Sequence, residues 1–336
     1  MYSVDVIIPS YKPDQKLRKL LELLLRQSYP IQKIIIINTE KSLLDPTLIP
    51  EDTRISVTHI RKEEFDHGAS RNLGVSKSDA ELFLMMTEDA VPKDTTLVEK
   101  LVHVFETDPY KDAAPKNHPR GPIGAVYGRQ FATQESSYDE QYARQFNYPA
   151  QSFVKTQQDI ARLGIKTYFE SNVCCMYRRD IFDRLGGFID HTIFNEDMIY
   201  CGKLLQAGYA SAYEASAEVY HAHHYSGCQQ FHRNFDLGVS QADHPEIFGG
   251  LRSEGEGVKL VLGNAKDLIR HGRLLTVPNL VWKSGCKYLG FRMGRNYRKL
   301  SRRMVLRCTM NPRYWAHTDG SIELHEDGSA CRKNRR

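Results

Sequence analysis

The chain has 336 residues, 41% hydrophobic and 26% charged, with a net charge of +5, a balance that supports a sizeable core and excludes a fibrous or wholly disordered protein. Its seven cysteines, an odd number with no C-x-x-C pair, fit reduced thiols in a cytosol better than a disulfide framework or a zinc cage. Met1 to Pro9 lacks a basic start and a long apolar run, and Lys283, Lys287 and Arg292 interrupt the best apolar stretch, so neither a signal peptide nor a membrane span is expected.

Ser3 to Pro9 reads as a strand, and Leu17 to Gln27 then carries leucines at helical spacing until Tyr29-Pro30 stops it. Lys33 to Ile37 is a second strand closed by Asn38-Thr39-Glu40, Ile55 to Ile60 a third, and Leu82 to Met86 a fully apolar fourth. Between the last two, a helix is expected from about Arg71. Strands alternating with helices predict a mostly parallel, doubly wound sheet, whose ligands sit beyond the carboxyl ends of the strands. Tyr110 to Pro122 is expected as loop, and Tyr138 to Lys155, aromatic and polar without a clean period, as an irregular segment able to cover an acceptor. Phe169 to Tyr177 reads as strand with Cys174 and Cys175 buried in it. A short helix from Arg179 ends at Gly186-Gly187, an amphipathic one from Met198 ends at Gly208, and Ala217 to Tyr220 is a last short strand. Beyond about Gly250 the chain is helical and basic through Val305.

Four constellations bear on chemistry. Thr87-Glu88-Asp89 ends the buried fourth strand, where hard oxygen donors suit Mg²⁺ or Mn²⁺ and also suit a turn or helix cap. Asn195-Glu196-Asp197 precedes a helix, as a cap, as a general base, or as both. His221-Ala222-His223-His224 follows a strand, and an imidazole there is either plain surface or a ligand completing a carboxylate metal site. His223 is the first choice of ligand, with His221 its partner or substitute. In Phe65 to Asn72, Gly68 permits close backbone approach and Arg71 can meet phosphate in the first turn of a helix; its bland counterpart is a cap with a solvated arginine. Neither G-x-x-x-x-G-K-[ST] nor G-x-G-x-x-G occurs.

Taken in order, Pro9-Ser10-Tyr11, Asn38-Thr39, His67-Gly68 with Arg71-Asn72, Thr87-Glu88-Asp89, Asn195-Glu196-Asp197 and His221-Ala222-His223 resemble the family 2 GT-A glycosyltransferases across roughly residues 1 to 230. Phe65 to Gly74, Leu84 to Pro92, Tyr220 to Ser226 and the ending Asn311-Pro312-Arg313-Tyr314-Trp315 look like the rhamnosyltransferases of bacterial surface-polysaccharide assembly. The resemblance implies an α/β GT-A fold: a Rossmann-like, mostly parallel central sheet flanked by helices, here with a basic C-terminal helical extension. Residues 1–250 would be the catalytic domain, 251–315 the basic helical region and 316–336 a polar, partly disordered tail.

It further implies an inverting transfer, with Asp197 as base and Glu196 beside it, and Asp89 holding Mn²⁺ or Mg²⁺ with His223 or His221. Pro9, Tyr11, Asn38 and Thr39 would line the base and ribose, while His67, Gly68, Arg71, Asn72 and Glu88 would sit near the nucleotide. Thr87 stands where a D-x-D motif has its first aspartate, and Asn38 where an aspartate is commoner. The donor implied is dTDP-β-L-rhamnose, and the acceptor a glycan or polyprenyl-linked glycan. A UDP-linked donor, a catalytically silent scaffold and a nucleotidyltransferase stand as alternatives, the last lacking its glycine-rich loop. Arg292 to Arg307 crowds basic residues that suit an anionic membrane face, a solvated surface or an oligomer contact. The acidic strand ends argue against nucleic acid, and the cysteine usage leads to the expectation of a cytoplasmic protein, peripheral on the inner face of the cell membrane if that basic face binds lipid.

Overall fold

A computed structural model describes residues 1–111, 120–133, 135–222, 225–251, 254–316, 323–324 and 330–331. It divides the chain into two compact units: Met1–Asp190 with Glu196–His223, and His191–Asn195 with His224–Arg336.

The first unit is built on β1 (Val4–Tyr11), β2 (Lys33–Thr39), β3 (Ile55–Ile60) and β4 (Leu82–Met86), joined through α1 (Gln15–Leu24) and α2 (His67–Val75). The four pair in parallel in the order β3-β2-β1-β4. Their side chains alternate between two cores. Val6, Ile8, Ile34, Ile36, Leu84 and Met86 pack with Leu17, Leu20 and Leu21 of α1, whereas Ile7, Ile35, Ile37, Phe83 and Met85 pack with a second cluster around Tyr177 and Tyr200. A strand buried on both faces must be apolar, which is why Ile34 to Ile37 and Leu82 to Met86 read as unbroken runs, whereas the edge strand β3 leaves Ser56 and His59 exposed.

The sheet continues through the short β5 (Val91–Pro92), α3 (Leu97–Thr107), β6 (Ile123–Phe131), α4 (Tyr138–Asn147), β7 (Phe153–Lys155), α5 (Ile160–Leu163), β8 (Cys174–Arg178), α6 (Arg179–Arg184), α7 (Glu196–Gln206) and β9 (Ala210–Tyr220). Beyond β4 the order is β8-β6-β9-β5, with β7 also on β9. Here β8 runs antiparallel to both β4 and β6, so the parallel character is confined to the N-terminal strands and the β6–β9 pair.

Three local readings change. The segment from Tyr138 forms α4 and then β7 instead of irregular chain, because Tyr138 to Asn147 opens with Asp139 and Glu140 at the positive helix end and closes with Arg144 at the negative end. Phe169 to Val173 is not strand: pairing begins only at Cys174. The last strand, expected from Ala217, already starts at Ala210; its alternation is hidden by small residues such as Ala212 and Ser211 that pack without announcing a face. Cys174 and Cys175 are buried as expected.

The second unit carries α8 (Gly227–Asp243), α9 (Pro245–Phe248), α10 (Glu254–Arg270), α11 (Val277–Arg295) and α12 (Arg302–Cys308). A Cβ on Gly290 or Gly294 of α11 would stand 2.2 Å from the Phe231 carbonyl oxygen or 2.0 Å from that of Phe235 on α8, so the two helices cross with backbone against backbone. Most of the polar tail after residue 316 lies outside the described residues.

Candidate active site

The order of the parallel strands reverses at β1, with β2 on one side and β4 on the other, and in such sheets a crevice opens beyond the carboxyl ends at that point. Tyr11, Thr39 and Thr87-Glu88-Asp89 all emerge there. Glu88 Oε2 accepts from Ser10 Oγ at 2.6 Å and from the Tyr11 amide at 3.0 Å, tying the end of β4 to the end of β1. Burial pushes the Glu88 carboxyl up to about 7 against those two hydrogen bonds. The Tyr11 phenol is lowered, chiefly by the Lys62 ammonium with Lys12 beside it; both ammonium groups lie 5.4 Å from the ring centroid.

Asp89 meets His221 because β5 pairs antiparallel with the end of β9, Val91 opposite Tyr220. His221 Nε2 stands 3.5 Å from Asp89 Oδ1. On the far side of the ring, Nδ1 lies 3.1 Å from Gln130 Oε1 of β6 and 3.1 Å from an Arg144 guanidinium nitrogen of α4. The two neighbours favour opposite tautomers. Arg144 can only donate, which leaves a proton on Nε2, whereas Gln130 Oε1 accepts and leaves the Nε2 lone pair facing Asp89. Gln130 also donates from Nε2 to Ser171 Oγ at 2.9 Å, so β6 links His221 to the segment that holds Asp197.

The divalent ion implied by the sequence resemblance fits this donor set. Asp89 offers a hard carboxylate and His221 an imidazole, and Mn²⁺ or Mg²⁺ completes such a pair with water and diphosphate oxygens. Among the described residues no group of three or more His, Cys, Asp or Glu side chains gathers to hold an ion. The Thr87 hydroxyl, in place of the first aspartate, is buried without a hydrogen-bond partner among the described residues. His223, the first choice of histidine ligand, lies outside the described residues.

Asn195 adopts φ 66°, in the left-handed region that asparagine tolerates, and the turn delivers Glu196 and Asp197 into the first turn of α7. Asp197 Oδ2 accepts from the Asn172 amide at 3.2 Å and Oδ1 from the Met198 amide at 2.8 Å. Burial, then the neighbouring Glu196 charge, raises its carboxyl to about 7, against those amides and Arg71. Burial is the largest single influence on Glu196 and works to raise it, but Arg71, His67 and the Asn172 side-chain amide together outweigh it, and Glu196 is lowered. The Arg71 guanidinium sits 3.2 Å from Glu196 Oε1, and both side chains are almost fully buried.

Arg71 is therefore engaged with Glu196 and with the His67 carbonyl oxygen at 2.7 Å, not exposed at a helix end. Asn72 donates to the Phe188 carbonyl at 2.9 Å and to Asp190 Oδ1 at 2.8 Å, and accepts from the Phe188 amide at 3.1 Å. The close approach at Gly68 is to protein: an added Cβ would stand 1.7 Å from the Ile189 carbonyl oxygen. Gly68→Ala is expected to destabilise the fold by on the order of 3 kcal/mol, read by denaturant unfolding; an unchanged midpoint would show that the 189 backbone yields freely. At the β2 end, Asn38 is buried, donating to the Glu40 carbonyl at 3.1 Å and lying 3.1 Å from His59 Nδ1. Its Oδ1 has no hydrogen-bond partner among the described residues. Pro9, one register step earlier on β1, pairs with Ile37.

Sequence reasoning missed Gln130, Arg144, Ser171 and Asn172. Only Gln130 left a trace, as a polar residue within the apolar run of β6.

Residues 5–186 match the family described as Glycosyl transferase family 2, a span covering β1 through α6 that stops before Asp197 and His221. The chain is 34% identical over 316 residues to the O-antigen chain rhamnosyltransferase RfbN of Salmonella typhimurium, covering 93% of this chain and 96% of that one. It is 32% identical over 320 residues to the O-antigen chain rhamnosyltransferase WbaN of Salmonella anatum, at 94% and 96% coverage. Among solved structures, the mannosyltransferase PcManGT of Pyrobaculum calidifontis, in complex with GDP-Man and Mn²⁺, aligns over 88% of this chain and 87% of its own with a TM-score of 0.57 at 15% identity, a likeness of fold. With the family match spanning more than half the chain and both relatives aligned along nearly all of it, this protein belongs to glycosyl transferase family 2 and is a glycosyltransferase of the GT-A fold.

Proposed function

We propose that the chain transfers L-rhamnose, with inversion, from dTDP-β-L-rhamnose to a glycan or polyprenyl-linked glycan in the assembly of an O-antigen-type polysaccharide. The sugar rests on the two rhamnosyltransferases aligned over more than nine-tenths of this chain. The mechanism rests on one observation: a carboxylate, Asp197, fixed by two backbone amides and raised toward neutrality by its setting.

A base of that kind takes the proton of the acceptor hydroxyl as that oxygen forms its bond to the anomeric carbon. The bond from that carbon to the donor phosphate oxygen breaks, its electron pair leaving with the nucleoside diphosphate. The displacement is single, so configuration inverts and the product is an α-L-rhamnoside. Asp89 and His221, with His223 as a further candidate, would hold Mn²⁺ or Mg²⁺, which when bound neutralises charge developing on the diphosphate. Tyr11 and Thr39 would flank base and ribose, with the buried Asn38 Oδ1 as an acceptor for a base N–H. Arg71 acts on the base side through Glu196, and Gly68 and Asn72 act by fixing the 188–190 segment. The basic run from Arg292 would meet an anionic membrane through its charge.

A panel of dTDP-, UDP- and GDP-sugars with Mn²⁺ or Mg²⁺ tests this. dTDP-rhamnose is expected to stabilise the protein thermally and to release dTDP when acceptor is present, with both responses lost in Asp89→Ala. Stabilisation by a UDP- or GDP-sugar alone would replace the donor, and no response to any nucleotide sugar would remove the transferase reading of the site.

A further inference from the structure

We infer that the α10–α11 hairpin of the second unit is a membrane-inserting edge, whose apolar tip enters an anionic bilayer. The inference adds burial of named side chains to the electrostatic contact proposed above, and rests on that contact only for the first encounter.

The face opposite the α8 crossing is what lacks a cover. On α11, Leu280, Gly290, Phe291 and Gly294 are buried, whereas Val281, Tyr288 and Leu289, at helical spacing on the other side, are all more than half exposed. On α10, Val258, Leu262 and Ile269 form a stripe at spacings of four and seven and are likewise more than half exposed. Gly272, at φ 69°, ends α10, and the connector that follows carries Leu274 and Leu275, 63% and 95% exposed. Trp282, one turn into α11, rests the Nε1 edge of its indole against Gly227 at the start of α8 and is still 61% exposed. So many large apolar groups on two consecutive helices and their connector exceed the scattered apolar exposure of an ordinary surface.

Charge selects the occupant. From residue 257 to residue 307, after Glu254 and Glu256, there are thirteen lysines and arginines and one carboxylate, Asp267. A second copy applied to this face by a two-fold axis would set that positive field against itself. An anionic lipid surface satisfies it, while the acyl boundary takes the leucines and the interfacial zone takes tryptophan and tyrosine, which are apolar in body and polar at one end. No described helix is long and apolar enough to cross a membrane, so the element lies on the bilayer and does not span it.

The test is flotation of the full chain with vesicles of phosphatidylcholine alone or mixed with phosphatidylglycerol, at low and high salt, for the wild type and for a Leu274→Glu, Leu275→Glu double variant. Thermal stabilisation by nucleotide sugar serves as the check that the variant is folded. Wild type is expected to float with the anionic vesicles, with Trp282 fluorescence quenched by brominated acyl chains in a Trp315→Phe background. The double variant should lose about tenfold or more of that partition and all of the quenching. Three results overturn the inference: full binding by the double variant that salt reverses, which leaves the electrostatic contact standing alone; no binding to anionic vesicles at any salt, which removes both; and self-association in sedimentation that the double variant abolishes, which assigns the face to a second copy.

Discussion

Asp197→Asn is expected to lower kcat by about 10²–10⁴-fold while leaving donor-dependent thermal stabilisation intact. The amide is nearly isosteric and still accepts through its oxygen from one of the Asn172 and Met198 amides that orient the native carboxylate, so the fold loses little. What disappears is the proton acceptor. The wild-type pH profile should identify the same group. A base works only when ionised, and this carboxyl is raised to about 7 by burial and by the Glu196 charge. The rate should therefore be full above about pH 7 and fall about tenfold for each pH unit below it, with that acid limb absent from the residual activity of Asp197→Asn. A variant that keeps both turnover and the acid limb would move the base to another residue.

The parts of this site legible in the sequence are those that lie at the ends of buried strands. Ile34 to Ile37 and Leu82 to Met86 are apolar on both faces because both faces are covered, and the polar residues that follow them, Asn38 and Thr87-Glu88, are the ones set at the crevice. The proximity of Asp89 to His221 was readable as chemistry, a carboxylate and an imidazole at two strand ends, although nothing in the sequence contains the β5–β9 pairing that joins them. What stayed hidden depends on contacts between distant segments. Asn72 reads as a residue for a nucleotide until Phe188 and Asp190, more than a hundred positions away, take its whole side chain. Asn172 holds Asp197 through its backbone amide, which any residue type except proline would supply. Likewise α4 looked irregular because its residues are mostly polar and none is buried, yet Arg144 on it reaches His221.

Arg71→Met is expected to cost about 3–5 kcal/mol of stability at neutral pH and to move the acid limb of the rate profile upward. Arg71 and Glu196 are both almost fully buried, with the guanidinium 3.2 Å from Glu196 Oε1. Removing the cation deprives the carboxylate of its principal counter-charge in a site where burial alone would raise it. The sign of the pH dependence follows. Glu196 is lowered in the folded protein, so the stability it contributes is present above the unfolded carboxylate range and is lost as pH falls through its folded value. The stability gap between wild type and Arg71→Met should accordingly be widest at neutral pH and close on acidification, as the protonated side chain no longer needs a partner. Asp197 and Glu196 bind protons as a pair, and Arg71 lowers both. Without it the pair takes up its first proton at a higher pH, and the fraction of ionised base at neutrality falls. Denaturant unfolding across pH and a kcat/KM profile measure the two effects separately. A gap that persists unchanged into acid would mean that Arg71 stabilises by packing of its stem and not by its charge, and an acid limb that stays in place would uncouple it from Asp197.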